Sequence, residues 1–453
     1  ARAAEACPPA TIFLSSEFLT SPGISALFPL HGRIVFGAPL TAAVTLEVSA
    51  AGRRASFSIT PADCGPLDGG GCFHDYLLVL NTFALDDGPQ AVHLAIPGAA
   101  GAEAGRTVTV DNSSALGRTA AGAIANHPDQ RWIWREGEVD SSHFPIDAAH
   151  LAPWFDRPDA PAMVSVMAAS SGLDAAEAEA LADFVEQGFC TLPGKVEESL
   201  LERMNADLDA MLDRGEIQVA GEGEDHRVEQ IHEKSSAARE IWTLPSVMKF
   251  LRAVFQEEVL PCQTLVFLRG SGQDMHQDTI HLTAFPAGYM CGVWIALEDI
   301  EEDAGPLFVY PGSHRLPRLY CDTVGMSKVH DGDWSEFAQK FLPRLADELE
   351  AAGCEKQTYL PRRGDILVWH ENLTHGGSER NNHALSRRSI VSHYFSAGAA
   401  VWYDSSGRCG GTMALEPDGK RHALDSALRV ARGVLNGSIG LGNLRTLWRL
   451  RKH

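Results

Sequence analysis

The sequence predicts a mainly β protein with helices, in which an N-terminal antiparallel β-sandwich precedes a larger β domain buttressed by helices. Short apolar segments rich in β-branched residues recur through the first ~110 residues, separated by turns rich in Gly, Pro, Asp and Asn, which is typical of a β-sandwich. Helical periodicity begins near residue 174, and further apolar strand-like segments follow it. A chain of 453 residues is long enough for two or three domains, each with its own core.

The predicted strands of the N-terminal part lie at residues 32–36, 43–48, 55–60, 76–80, 91–96 and 107–110. The stretch 86–94 resembles the late hairpin of bacterial immunoglobulin-like modules, so we predict such a module over residues 1–115. Glycan or protein binding and a purely structural role both suit this architecture.

Two regions of distinct composition flank the larger domain, which is predicted at residues 171–410. Residues 116–170 combine Ala, Pro and Ser with tryptophans, and are predicted to be a linker whose aromatic side chains dock on a domain. Residues 411–453 are rich in Lys and Arg and predict a basic helical tail. This tail could contact a membrane or an acidic partner, but we favour packing on its own body or on a sister subunit, as in a homo-oligomer.

The larger domain begins with two predicted amphipathic helices. Leu181, Phe184 and Val185 share one helical face, and apolar residues recur at four-residue intervals from Leu200 to Leu212. We expect these helices to pack against the β domain and to carry no chemistry.

A candidate metal site is indicated by His276 and Asp278. On a β-strand these two side chains would point to the same face, because strand side chains alternate with a period of two. One more imidazole would complete a set of two nitrogens and one carboxylate, which leaves three adjacent positions of an octahedral metal open and is typical of non-haem Fe(II) oxygenases. His375 is the predicted third ligand.

Two other histidines are alternatives for that position. His370 and His281 lie close in sequence to His375 and Asp278, and a different strand register would bring either of them to the metal. His375 is favoured because two glycines follow it and allow a close backbone turn beside the metal.

Ordered motifs between residues 173 and 403 resemble the phytanoyl-CoA dioxygenase family. They are a helical opening at 180–193, the His-x-Asp of 276–278, a Gly-Pro-Leu…Pro-Gly-Ser-His block at 305–314, the His-Gly-Gly of 375–377 and a basic strand beyond it. The resemblance implies a double-stranded β-helix of the jelly-roll or cupin-like type. It also implies Fe(II), 2-oxoglutarate and O₂ as cofactor and cosubstrates, with the two histidines and Asp278 as metal ligands and catalytic residues.

The basic strand, residues 386–394, carries the residues that the resemblance assigns to 2-oxoglutarate. The far carboxylate of this cosubstrate needs a fixed cation, and a guanidinium pairs with a carboxylate through two parallel hydrogen bonds. Arg387 matches the family's arginine by position, with Ser389 as its hydroxyl partner, and Arg388 is the alternative. Three further residues are candidates for lining the cosubstrate or substrate cavity: Gln263, Thr283 and Trp294.

The resemblance implies a dioxygenase that hydroxylates a C–H bond of an organic substrate and releases succinate and CO₂, while desaturation and epimerisation stay open. The alternative is a non-catalytic glycan- or protein-binding protein that uses the β-sandwich. A halogenase is disfavoured, because related halogenases have Ala or Gly where Asp278 stands. The fused module favours a bulky or glycan-linked substrate, and predicts that residues 1–115 bind it but are dispensable for uncoupled 2-oxoglutarate turnover.

Composition narrows the partners and the compartment. The chain has 59 acidic and 38 basic residues, which argues against nucleic acid as a partner. No apolar run reaches the ~20 residues of a membrane span. Nine scattered cysteines do not predict a secreted disulfide framework, and a cytoplasmic location would supply Fe(II) and 2-oxoglutarate. The helical insert at 333–349 is the candidate segment for a lid, because insertions at the mouth of such a barrel usually determine substrate specificity.

Overall fold

The computed structural model describes residues 7–146, 148–194, 196–217 and 227–409. The predicted basic tail, residues 411–453, lies outside these described residues. Within them, no helix is both long and apolar enough to cross a membrane. All nine cysteines fall in the described part of the chain, and each is a free thiol.

The N-terminal part forms two antiparallel sheets that contribute to one apolar core. Its elements are β1 (Ala10–Leu14), α1 (Ser16–Thr20), β2 (Leu27–Phe36), β3 (Val44–Ala50), β4 (Arg53–Ile59), β5 (Gly65–Pro66), β6 (Cys72–Asn81), β7 (Gly88–Ala95) and β8 (Glu103–Val110). One sheet has the order β1-β2-β6-β5 and the other β4-β3-β7-β8. All six predicted strands overlap observed ones, whereas the likeness to immunoglobulin-like modules stays a prediction.

The predicted linker is largely folded. It contains α2 (Ala115–Ala125), β9 (Ile133–Arg135) and α3 (Ala160–Ser170), and β9 adds to the first sheet by pairing with β6. Its aromatic side chains are buried against the N-terminal part and against the larger domain. Trp134 lies in an apolar cluster with Phe83 of the N-terminal part and Trp402 of the larger domain, while the indole N–H of Trp154 donates to the carbonyl of Val254 at 2.7 Å. The domain boundaries themselves stay predictions.

Helices then cover one face of the larger domain. The elements are α4 (Ala175–Gln187), β10 (Phe189–Thr191), α5 (Glu198–Asp213), β11 (Arg227–Glu229), α6 (Ser236–Trp242) and α7 (Pro245–Phe255). Helix α4 begins with a capping box between Asp174 and Glu177 and ends at Gly188 in the left-handed conformation. The apolar faces predicted for α4 and α5 are buried in one core, which confirms both helices.

Two antiparallel sheets form the rest of the larger domain, together with a smaller hairpin-like sheet. The elements are β12 (Val259–Phe267), β13 (Thr283–Phe285), β14 (Met290–Ala296), β15 (Leu307–Val309), α8 (Cys321–Val324), α9 (Leu342–Ala352), β16 (Gln357–Thr358), β17 (Ile366–His370), β18 (His375–Gly377), β19 (Ser389–Ser396), β20 (Ala400–Tyr403) and β21 (Arg408–Cys409). The large sheet has the order β10-β17-β14-β19-β12-β11, the small one β16-β15-β18, and the third β13-β20-β21.

Side chains of the large sheet alternate between two apolar layers. One face packs against the helices, and the other shares an inner layer with Leu307 and Val309 of the small sheet. Two sheets that share one inner layer are what a double-stranded β-helix requires, and the chain is mainly β with helices as predicted. The candidate site lies at this inner layer.

Candidate metal centre

His276, Asp278 and His375 converge in the structure. The Nε2 atoms of His276 and His375 lie 3.6 and 3.7 Å from Oδ1 of Asp278, and all three side chains are buried. They are the one group of three or more His, Cys, Asp or Glu residues in the described ranges whose ligand atoms could hold a metal, all within 4.8 Å of one another. Two imidazoles and a carboxylate are a donor set compatible with Fe(II).

The backbone couples the two histidines directly. The His276 N–H donates to the His375 carbonyl at 2.9 Å, and the His375 N–H donates back at 3.0 Å. Their Nδ1 atoms lie 2.8 and 2.9 Å from the carbonyls of Asp274 and Leu373. Because a carbonyl only accepts, Nδ1 carries the proton and the lone pair of each Nε2 faces the cluster.

The strand assumed for His276 and Asp278 is absent. His276 forms only an isolated bridge, and Asp278 begins a 3₁₀ turn that runs to Ile280. The pair therefore converges through a turn, not through strand alternation. The first of the two glycines after His375 lies against β15, where an added Cβ at Gly376 would come within 2.6 Å of Phe308 Cζ. Close packing against β15, not a turn, requires glycine there.

The second oxygen of Asp278 is held by two donors. The indole N–H of Trp369 donates to Oδ2 at 2.8 Å, and Nε2 of His393 lies 3.4 Å from the same atom. Burial alone would raise the pKa of Asp278, but His375 and His393 hold it well below its ordinary value. Burial lowers the pKa of His375 to about 4. A carboxylate and a neutral imidazole are the protonation states that bind metal.

The two alternative histidines lie outside this cluster. Nε2 of His370 is 3.1 Å from Oδ1 of Asp156, and its ring contacts Phe184 on the helix side of the sheet. The ring of His281 lies 5.3 Å from that of His276, so His281 is a neighbour of the cluster and not part of it. Burial lowers the pKa of His281 to about 3.

Arg387 is a buried cation whose charge the described residues leave unpaired. Its side chain is 2% exposed, its Nε has no hydrogen-bond partner, and no carboxylate of the described residues lies within salt-bridge distance. Burial lowers its pKa to about 10. Ser389 Oγ is also buried without a partner. Arg387 precedes β19, and within that strand Val391 and His393 lie on the inner side.

Arg388 turns the other way. Its guanidinium pairs with Asp209 of α5 at 2.7 Å, outside the inner layer. The guanidinium carbon of Arg387 lies instead 5.4 Å from the ring centroid of Phe267, which belongs to the inner layer.

The remaining candidates have different surroundings. Gln263 Nε2 lies 3.1 Å from Nδ1 of His393, whose Nε2 faces Asp278. Trp294 belongs to the inner apolar layer. Thr283 does not support the predicted cosubstrate contact, because its hydroxyl donates to the Thr279 carbonyl at 2.6 Å and accepts the Asp404 N–H at 3.3 Å.

Trp369 and His393, which face the second oxygen of Asp278, are the two site residues that sequence reasoning missed. An added Cβ at Gly292 on the neighbouring strand would lie 2.1 Å from Trp369 Cε2, so glycine makes the space through which the indole reaches Asp278. A glycine inside a strand pattern was the available signal, since it indicates close approach of a large group.

The fold and the donor set define a mainly β protein with an Fe(II)-compatible centre. Residues 184–389 match the family model of phytanoyl-CoA dioxygenase (PhyH). This stretch, somewhat less than half of the chain, is similar to that family.

Parts of the chain are also similar to curated relatives and to solved structures. The mouse phytanoyl-CoA dioxygenase domain-containing protein 1 is 26% identical over 183 residues, which are 38% of this chain and 57% of the relative. Human peroxisomal phytanoyl-CoA dioxygenase is 24% identical over 163 residues, 34% of this chain and 45% of that protein. The chain thus spans about half the length of these relatives. The epimerase SnoN in complex with Fe³⁺, alpha ketoglutarate and nogalamycin RO is 18% identical, with a TM-score of 0.40, covering 56% of this chain and 96% of SnoN.

Proposed function

We propose that this protein is an Fe(II)- and 2-oxoglutarate-dependent dioxygenase that hydroxylates a C–H bond of an organic substrate and releases succinate and CO₂. The observation that carries the proposal is Arg387, a buried guanidinium whose charge the described residues leave unpaired, two residues before Ser389, whose hydroxyl is buried without a partner. An isolated buried charge is costly, so such a cation implies an anionic ligand. A dicarboxylate that reaches from the metal to this cation fits both features.

The residues of the chain have separate parts in this reaction. His276, Asp278 and His375 would hold the metal, and two imidazoles with one carboxylate are the donor set of non-haem Fe(II) oxygenases. Arg387 binds the far carboxylate of 2-oxoglutarate, and the inner apolar layer around Trp294 and Phe267 keeps water from the site. Fe(II), when bound, supplies the redox chemistry that couples decarboxylation of the oxo acid to oxidation of the substrate.

The finer parts of the proposal concern substrate, compartment and assembly. We propose that the substrate is bulky or glycan-linked and is bound with the help of an immunoglobulin-like N-terminal module. A cytoplasmic location is also proposed. The relatives' names suggest an acyl-CoA as substrate. Arg362 and Arg363 would add little to the binding of its phosphates, because they already pair with Asp299 and Glu198. Assembly into homo-oligomers through residues 411–453 is likewise proposed.

Anaerobic titration tests the proposal. Fe(II) and 2-oxoglutarate together should produce a weak visible absorption band, and air should then yield succinate. Arg387→Gln should weaken 2-oxoglutarate binding strongly and leave metal binding intact, whereas the adjacent Arg388→Gln is the matched control and should behave as the parent. Equal 2-oxoglutarate affinity in both variants, or no band in the parent, would refute the proposal.

The competing function is a non-catalytic binding protein built on the N-terminal sheets. A decayed site should have lost a ligand or the cation, but His276, Asp278, His375 and Arg387 are all present. Metal content separates the two: freshly isolated protein without iron that also fails to take up Fe(II) favours the binding protein. Asp278 occupies the position that a halogenase keeps free, so chloride should not be incorporated into product.

A further inference from the structure

Behind the metal centre, a chain of hydrogen bonds leads away from the second oxygen of Asp278. Nε2 of His393 lies 3.4 Å from Asp278 Oδ2, Nδ1 of His393 lies 3.1 Å from Gln263 Nε2, and the Tyr403 hydroxyl donates to Gln263 Oε1 at 3.0 Å. Gln263 and His393 face each other directly on β12 and β19, so the sheet register fixes their contact.

The chemistry of the groups gives this chain a direction. A carboxylate only accepts hydrogen bonds, so Nε2 of His393 must carry the proton that faces Asp278. An amide nitrogen only donates, which makes Nδ1 of His393 the acceptor from Gln263. The amide oxygen of Gln263 is then left for the Tyr403 hydroxyl. Each donor thus points toward Asp278, and hydrogen bonds aligned in one direction strengthen one another.

The two oxygens of Asp278 consequently have different surroundings. Oδ1 faces the Nε2 atoms of His276 and His375, whereas Oδ2 is occupied by Trp369 and His393. A carboxylate with a free second oxygen can bind a metal through both oxygens. Binding in that way would use one of the three positions that the oxo acid and O₂ need.

We infer that His393, oriented by Gln263 and Tyr403, is a positioning residue that keeps Asp278 a one-oxygen ligand and so preserves the open coordination face. This inference rests on the proposed function and extends it to residues that touch neither metal nor 2-oxoglutarate. It also gives Gln263 a role different from the predicted cosubstrate contact, because both ends of its amide are used within the chain.

The test uses Co(II) as the probe in the metal-free full-length protein, because the visible bands of Co(II) report its coordination. His393→Leu should weaken Co(II) binding by about 10–100-fold, the usual effect of losing such a support, and should change the bands. His393→Gln returns an N–H donor and should recover part of the affinity. Gln263→Met preserves volume while removing the donor to Nδ1, and should shift affinity in the same direction even where His393→Leu lowers the melting temperature.

A matched control is available on β19, the strand that carries His393. Tyr403→Phe removes the first donor of the chain and should weaken Co(II) binding modestly. Tyr394→Phe makes the same change at a buried hydroxyl that donates to the Trp242 carbonyl at 2.9 Å, away from the site, and should leave the affinity and the bands as in the parent.

Two results would overturn the inference. Parent-like Co(II) affinity and bands in both His393→Leu and Gln263→Met would show that the chain does not position Asp278. Weaker 2-oxoglutarate binding with unchanged Co(II) binding would make these side chains cosubstrate contacts instead. Failure of the proposed function is distinguishable, because it would appear in the parent itself as absent metal or 2-oxoglutarate binding.

Discussion

Gly292 provides the sharpest test of how the metal centre is built. It lies on β14 opposite Trp369 of β17, and a Cβ at this position would lie 2.1 Å from Cε2 and 2.6 Å from Nε1 of the indole. Ordinary carbon contacts begin near 3.5 Å, so in Gly292→Ala the indole must move by about 1.4 Å. A shift of that size is large enough to break the 2.8 Å hydrogen bond to Asp278.

The expected cost has two measurable parts. Overpacking a filled core should lower the free energy of unfolding by about 1–3 kcal/mol, measured by urea denaturation of the metal-free protein. Loss of the indole donor should weaken metal binding by about 10–100-fold. Gly122→Ala is the control, because Gly122 is exposed in α2 with nothing within 4 Å of an added Cβ, and should be neutral or stabilising by up to about 1 kcal/mol. A Gly292→Ala protein as stable as the parent, with unchanged metal affinity, would refute the reasoning.

Three further predictions concern the supports of the site. Arg318 pairs with Asp156 at 2.7 Å and with Glu371 at 2.9 Å, so Asp156→Asn should lower the free energy of unfolding by about 3 kcal/mol in urea denaturation. Glu240→Gln is the control at the exposed Arg203 pair and should cost less than about 1 kcal/mol; equal costs would contradict this. Burial alone would raise the pKa values of Asp156 and Asp140. Pairing with His370 and Arg318 holds the pKa of Asp156 below its ordinary value, and pairing with Lys328 does the same for Asp140. The folded state therefore binds fewer protons, and the free energy of unfolding should fall below about pH 4, less steeply in Asp156→Asn; a pH-independent stability would refute it. Deleting residues 1–115 should lower the melting temperature, because Leu27, Val79 and Phe83 share an apolar cluster with Phe285 and Trp402; an unchanged melting temperature would contradict this.

Periodicity and chemistry predicted much of this structure. The strands of the N-terminal part and helices α4 and α5 follow from local patterns whose apolar faces have one place to go. His276, Asp278 and His375 were chosen for their donor atoms, and they converge although the assumed strand is a turn. Ligand chemistry predicted the site better than strand periodicity did, because it constrains where the side-chain donor atoms meet and not which backbone conformation brings them there.

Trp369 and His370 show why the remainder could not be predicted. They are neighbours on β17, a strand whose five residues are all buried, so both of its faces are apolar and periodicity does not tell the inner from the outer one. His370 points to the helices and pairs with Asp156, while Trp369 points inward to Asp278. Exchanging the two faces would have made His370 a plausible ligand, as the alternative assignment supposed. The orientation of Trp369 depends on the space left by Gly292, which has no side chain. The pairing of β14 with β17 places that space next to the indole, and this pairing cannot be read from either strand alone.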